Sequence, residues 1–155
     1  MIKMSDSLRN KVVVITGASS GIGRSIALES ASRGATVVLL ARRLDKLEEI
    51  AAEARELSAS AAFAVKADLG LASDIEAAFA EVKEKVKHID YLVNAAGFGK
   101  FEEFMEADMQ DATEMFQVDV LGLMYMTRLF GRLMLEQGSG QIINFGSMAG
   151  KVPTT

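Results

Sequence analysis

Val12-Val13-Val14-Ile15-Thr16-Gly17-Ala18-Ser19-Ser20-Gly21-Ile22-Gly23 is the stretch on which the reading of the chain turns. A continuous apolar, β-branched run of this kind marks a strand buried on both faces, and here it passes through a glycine-rich turn into a segment of helical periodicity. Gly17 can take the backbone angles of a tight turn. Gly21 has no β-carbon to obstruct a close-lying phosphate, and Gly23 lets the next helix pack against the strand. The helix would start at the turn, so its free N–H groups and the positive end of its dipole face an anion there. We read the stretch as a phosphate cradle between strand and helix.

The spacing Gly-x-x-x-Gly-x-Gly differs from Gly-x-Gly-x-x-Gly, and no Gly-Lys-Ser/Thr follows, so this is not a P-loop. Three glycines alone say little. What gives them meaning is the order of elements around them. Ile22 to Arg33 reads as a helix with Ile22, Ile26, Ala27 and Ser30 on a small-residue face, stopped by Gly34. Thr36 to Ala41 is a second buried strand, with Arg42 and Arg43 at its end, and Leu44 to Leu57 a second helix with Leu44, Leu47, Ile50, Ala51, Ala54 and Leu57 along one face.

Ala61 to Ala67 reads as a third strand, followed by Asp68, and Ser73 with Glu76 forms a capping-box pattern that opens a helix to about Val86. Ile89 to Asn94 is a fourth strand, closed by Asn94-Ala95-Ala96-Gly97. Met109 to Glu136 reads as one long helix, apolar around most of its circumference and therefore buried on more than one side. Gln141 to Phe145 is a fifth strand leading to Gly146-Ser147-Met148-Ala149-Gly150. Strict strand–helix alternation implies right-handed crossovers and an α/β, doubly wound parallel sheet of Rossmann type. Ligands of such sheets bind outside the strand C-termini, where Gly17, Arg42, Asp68, Asn94 and Ser147 all fall.

Composition narrows the function classes. The chain has 155 residues, half of them hydrophobic, with one Pro and no Cys. That suits one domain: a lead-in over residues 1–10 and a nucleotide-binding domain over 11–155. The net charge of −4, with no large Lys/Arg cluster, argues against nucleic acid or an anionic membrane as partner. The absence of cysteine excludes disulfides and thiolate metal sites and leans toward a cytoplasmic setting. No signal peptide is read in Met1 to Asn10, and the apolar stretch Val118 to Leu135, carrying Asp119, Arg128 and Arg132, reads as a buried helix rather than a membrane span. His88 is the single histidine and lies between a helix and a strand, so no hydrolase triad is available.

With these residues placed, the chain resembles the short-chain dehydrogenase/reductase family over essentially its whole length. Three motifs carry the resemblance in the right order: Thr16 to Gly23, Asn94-Ala95-Ala96-Gly97, and Ser147 with Met148-Ala149-Gly150. The resemblance implies a nicotinamide-dependent oxidoreductase acting on a small carbonyl or alcohol, with sheet order 3-2-1-4-5 and further strands and helices beyond the fifth. It implies that Gly17, Ser19, Ser20, Gly21, Ile22 and Gly23 hold the cofactor, that Asp68 and Leu69 lie near the adenine, and that Asn94, Ala95, Ala96 and Gly97 brace the sheet beside it. Ser147 corresponds to the serine that hydrogen-bonds the substrate oxygen, where hydride transfer builds charge. Arg42 and Arg43 occupy the place where an NAD enzyme offers an acid, which points to NADP(H). The family also implies a homodimer or homotetramer through the helix from Met109 to Glu136.

Two departures stand out. Asp119, in Val118-Asp119-Val120-Leu121-Gly122, replaces the family's Asn, exchanging an amide donor for a group that can carry charge. No Tyr-x-x-x-Lys follows Ser147: the chain reaches Thr155 before the motif would come, about a dozen residues on, to supply the proton-transfer acid. Tyr91 and Tyr125 are not followed by lysine and read as core. The leading expectation is the cofactor-binding part of a reductase, inactive by itself. A non-catalytic dinucleotide-binding regulatory or scaffold module is the alternative, and completion by a separate chain a third.

Overall fold

A computed structural model of the chain describes residues 7–57 and 61–151. β1 (Val12–Thr16), β2 (Thr36–Ala41), β3 (Ala62–Lys66), β4 (Tyr91–Asn94) and β5 (Gln141–Asn144) form one sheet in the order β3-β2-β1-β4-β5. Every pairing is parallel, with Val14 opposite Val38 on one side and Leu92 on the other. Central β1 is apolar up to its last position, as a strand with neighbours on both edges and helices over both faces must be. The strand order reverses between β1 and β4, which opens a crevice at their C-terminal ends.

Alternate residues of the strands feed two cores. Val13, Ile15, Val37 and Leu39 point to one face and pack with Ala27 of α1 (Gly21–Ser32) and with Leu47, Ile50 and Ala51 of α2 (Leu44–Leu57). Val14, Val38, Leu40 and Leu92 point to the other, against Ile75 and Ala78 of α3 (Ala72–Lys85) and Met126, Phe130 and Met134 of α5 (Leu123–Gln137). Phe79 meets Phe130 edge to face at 5.0 Å. The sheet order and parallel pairing are those expected.

Several local expectations are corrected. In α1 the buried face is Gly23, Ala27, Ser30 and Ala31, and Ile22 stands 58% exposed, on the ligand side rather than the sheet side. Leu44 and Leu57, at the two ends of α2, are exposed where the inner four apolar residues are buried. α3 opens at Ala72 with no side-chain cap, so Ser73 and Glu76 make no capping box. Asp74 of its first turn instead accepts the N–H of Asp68, at 3.1 Å. Residues 1–6 of the lead-in lie outside the described residues. Within the remainder, Leu8 donates its N–H to the Arg33 carbonyl that ends α1, at 3.1 Å, and packs against the core.

The long helix is three segments: α4 (Met109–Phe116), a π-helical turn over Gln117–Gly122, and α5. A π turn widens the ladder by one residue and rotates the helix beyond it. Gly122, at its end, lies so close to the chain that a β-carbon there would sit 2.4 Å from the Leu69 carbonyl oxygen. Nor is the helix buried all round. Met126, Phe130 and Met134 cover the sheet, while Met124 and Leu135 are 59% and 82% exposed. Tyr125 is likewise exposed and not a core residue, whereas Tyr91 is half-buried and packs against the core that holds Val13 and Ile15. Among the described residues no helix is long and apolar enough to cross a membrane.

Candidate functional site

The C-terminal ends of β1, β2 and β4 enclose a cavity of about 620 Å³, within the range of small-molecule sites. One wall is the glycine turn. Gly17 has φ +66°, and a β-carbon on it would lie 2.7 Å from Ala96 Cα, so turn and facing loop touch backbone to backbone. On Gly23 a β-carbon would lie 2.4 Å from the Gly17 carbonyl oxygen. The last glycine thus seats α1 on the turn itself rather than on the strand. Gly21, with φ +55°, has nothing within 4 Å of where its β-carbon would be. Two glycines are there for protein packing, and the third opens onto free space in front of a helix N-terminus, as a bound diphosphate requires.

The opposite wall is Ala95, Ala96 and Gly97, which follow β4. Thr16, at the end of β1, holds them: its hydroxyl oxygen accepts the N–H groups of both Ala95 and Ala96 at 3.1 Å. Asn94 does not line the cavity. It is buried behind it, where Nδ2 donates to Thr127 Oγ1 at 3.2 Å and to Asn144 Oδ1 at 2.9 Å.

Ser19, Arg42 and Arg43 form one rim. Arg43 Nη2 donates to Ser19 Oγ at 3.2 Å, which draws the end of β2 to the glycine turn. Arg42 makes no hydrogen bond or ion pair among the described residues, leaving a guanidinium beside the cavity with five unspent donors. The rim at β3 is Asp68 and Leu69. Asp68 Oδ1 accepts the Gly70 N–H at 2.9 Å in an Asx turn that fixes the loop.

Asp119, on the π turn, is partly buried outside the cavity lining, and its Oδ1 accepts the Phe98 N–H at 3.1 Å. Burial pushes its carboxyl above the ordinary value, and the Phe98 hydrogen bond offsets this only in part. Ser147 lies three residues past β5, exposed and outside the cavity lining, in a short turn where its carbonyl accepts the Gly150 N–H at 3.2 Å. The structure therefore gathers twelve of the sixteen candidate residues around one cavity and leaves Gly23, Asn94, Asp119 and Ser147 behind or beside it. Phe98 and Val118 also line the cavity, and Thr16, Thr127 and Asn144 hold its walls; none of these was singled out from sequence. Thr16 had the clearest signal, being the one hydroxyl at the end of the apolar run.

The family model "short chain dehydrogenase" matches residues 11–155. 11-beta-hydroxysteroid dehydrogenase A of Sesamum indicum is 38% identical over 151 residues, 97% of this chain and 43% of that protein. L-Sorbose reductase from Gluconobacter frateurii, solved with NADPH and L-sorbose, superposes with a TM-score of 0.89 at 33% identity, over 99% of this chain and 57% of that one. NAD+-bound xylitol dehydrogenase superposes with a TM-score of 0.90 at 28% identity, over 96% and 57%. The chain spans about half the length of the relatives it matches. With that family model matching residues 11–155 and the fold shared with these solved structures, the chain belongs to the short-chain dehydrogenase family.

Proposed function

We propose that the protein carrying this chain interconverts a small carbonyl compound and its alcohol, with NADP(H) as the hydride carrier. The observation that carries the reading is the glycine turn, where the one glycine with open space at its β-carbon position faces a cavity rimmed by Arg42 and Arg43. Among similar solved structures one is described with NAD+ and another with NADPH, which supports a nicotinamide dinucleotide of either kind. The choice between them rests on charge. A guanidinium pairs with a 2′-phosphate through charge-assisted bonds, and no acid stands at the end of β2 to repel it.

In this reading the N–H groups of Ser20, Gly21 and Ile22 meet the diphosphate, Asp68 and Leu69 border the adenine, and Ala95 to Gly97 wall the ribose side. The bound dinucleotide supplies a hydride to the carbonyl carbon in one direction and accepts it in the other. Ser147 donates its hydroxyl hydrogen bond to the substrate oxygen, on which negative charge grows as the hydride arrives. That oxygen must also gain a proton. Within the chain no tyrosine is followed four residues later by lysine, and Tyr91 opens β4 at the end of the sheet away from the cavity. Residues 1–155 alone therefore bind the dinucleotide without turnover.

The exposed apolar residues Phe116, Leu121 and Met124 support self-association through the α4–α5 face, as in a homodimer or homotetramer. The cysteine-free composition fits a cytoplasmic protein. Titration of the full-length protein against NADPH and NADH, followed by dihydronicotinamide fluorescence, is the direct test. Tighter binding of NADPH supports the reading. Equal affinities overturn the NADP preference, and binding of neither overturns the function.

A further inference from the structure

Among the described residues, the only buried polar side chain besides Thr16 and Ser30 is that of Asn94, 2% exposed, at the last position of β4. Both of its amide hydrogens are spent. One goes to Thr127 Oγ1 on α5 and the other to Asn144 Oδ1 at the end of β5. Its backbone carbonyl accepts the Phe145 N–H at 3.0 Å, the final rung of the β4–β5 ladder. A single residue thus ties a strand, a helix and the neighbouring strand together at one point. The next residues on β4, Ala95 and Ala96, form the cavity wall; the next on β5 lead within three positions to Ser147.

We propose that Thr127 and Asn144 are positioning residues that act through the Asn94 amide to hold the Ser147 end of β5 against the cavity wall. The inference rests on the function proposed above, because it assigns Ser147 a partner in the cavity. The physical need is specific. β5 pairs with β4 alone among the described strands, so beyond Phe145 its path is fixed from one side. Asn94 Oδ1 is buried and has no hydrogen-bond partner among the described residues, so the two Nδ2 bonds alone set the orientation of the amide. Losing either acceptor leaves a buried donor unmet and only one bond to fix the amide, which is then free to turn and no longer holds the end of β5 in place. A serine displaced by about an ångström loses most of its value to a reaction that depends on alignment.

The test uses the full-length protein with Thr127→Val, Thr127→Ser and Asn144→Ala. Valine keeps the volume of threonine and removes the hydroxyl; serine keeps the hydroxyl; Asn144 is exposed, so its truncation leaves the core intact. Expected are a fall in kcat of about tenfold or more for Thr127→Val and Asn144→Ala, with dinucleotide Kd held within about threefold, and recovery in Thr127→Ser. Amide hydrogen exchange across Gln141–Ser147 rises in the same two variants. Unchanged exchange with unchanged kcat overturns the inference. So does a parallel loss of kcat and dinucleotide affinity, which reports general loosening. Should Thr127→Val fail to fold, Asn144→Ala carries the decision. A wild-type protein that binds no dinucleotide overturns the proposed function instead, and the exchange measurement still judges the amide bridge.

Discussion

Thr16 and Ala96 meet across the crevice: one hydroxyl oxygen accepts the N–H of Ala96 and that of Ala95, each at 3.1 Å. β1 and β4 are thereby joined at their ends by a side chain rather than by ladder bonds, and the joint keeps two cavity-wall amides away from the ligand. Replacing Thr16 by Val leaves two partly buried donors unmet at almost constant volume. The expected cost is about 2–4 kcal/mol, from 1–3 kcal/mol per orphaned group with partial relaxation. Urea unfolding of wild type and variant measures it, and a loss below about 0.5 kcal/mol would show that the joint is dispensable.

The three glycines of the turn should answer differently to alanine. Gly17→Ala meets both a left-handed backbone and the Ala96 backbone, and should cost about 2–5 kcal/mol with or without ligand. Gly21→Ala meets only the left-handed backbone, about 1–2 kcal/mol. Its larger effect should be on dinucleotide affinity, since the methyl group enters the space the ligand needs. Melting curves recorded with and without NADPH separate the two. A Gly21→Ala variant that still gains full thermal protection from NADPH would remove Gly21 from the site.

Arg42 and Arg43 should contribute unequally to NADPH affinity. Arg43 already spends a donor on Ser19, whereas Arg42 spends none among the described residues. Arg42→Ala should weaken NADPH roughly tenfold or more, on the scale of a charge-assisted hydrogen bond, and leave NADH unchanged. Ser19→Ala should release Arg43 and cost less. Calorimetric titration of both dinucleotides checks the pair; an equal loss for NADH in Arg42→Ala would place that arginine on the shared part of the ligand.

The sheet order and the cluster of Gly17, Arg42, Asp68 and Gly97 around one crevice were legible because buried parallel strands need unbroken apolar runs, and such runs punctuate this chain clearly. What was not legible depends on contacts at a distance. Ile22 shares the helical spacing of the buried face, yet sits in the first turn of α1, where it lines the cavity instead of the core. The π turn at Gln117–Gly122 leaves no mark in apolar periodicity, since residues flanking it are apolar on every side. Asp74 looks like an ordinary first-turn acid until the Asp68 N–H is seen to need it. An apolar helix surface likewise does not state what covers it: Met124 belongs to a helix read as buried on more than one side and faces outward in this chain.

Asp90, at the opposite end of the sheet from the cavity, should make stability depend on pH. It accepts the Val12 N–H and the Lys11 ammonium, both at 2.9 Å, with His88 Nε2 at 3.5 Å. Burial pushes its carboxyl up, but the Lys11 hydrogen bond, the Val12 N–H and the charges of Lys11 and His88 together hold it below the ordinary value. A carboxyl depressed in the folded state gives stability that is present above its unfolded pKa and lost as pH falls through the folded one. Asp90→Asn should therefore destabilise near neutrality by about 1–3 kcal/mol, with the difference closing in acid. A difference that persists unchanged below the carboxylate range would mean that packing, not charge, is responsible.

Asp119 should behave in the opposite sense. Its carboxyl is raised by burial, so the folded state holds the proton more tightly than the unfolded one; stability is greatest below the unfolded pKa and declines as pH rises through the folded pKa. An asparagine at this position keeps an oxygen to accept the Phe98 N–H and removes the buried charge. Asp119→Asn is therefore expected to raise stability near neutrality and to match wild type in acid, while Asp119→Leu, which abandons the Phe98 N–H, lowers it at every pH. If the carboxyl also bears on the reaction through the Gly97–Phe98 wall, the amide variant should shift the pH profile of turnover in the full-length protein. A profile and a stability curve both unmoved by Asp119→Asn would show that this side chain titrates alike in the folded and unfolded states and touches neither folding nor chemistry.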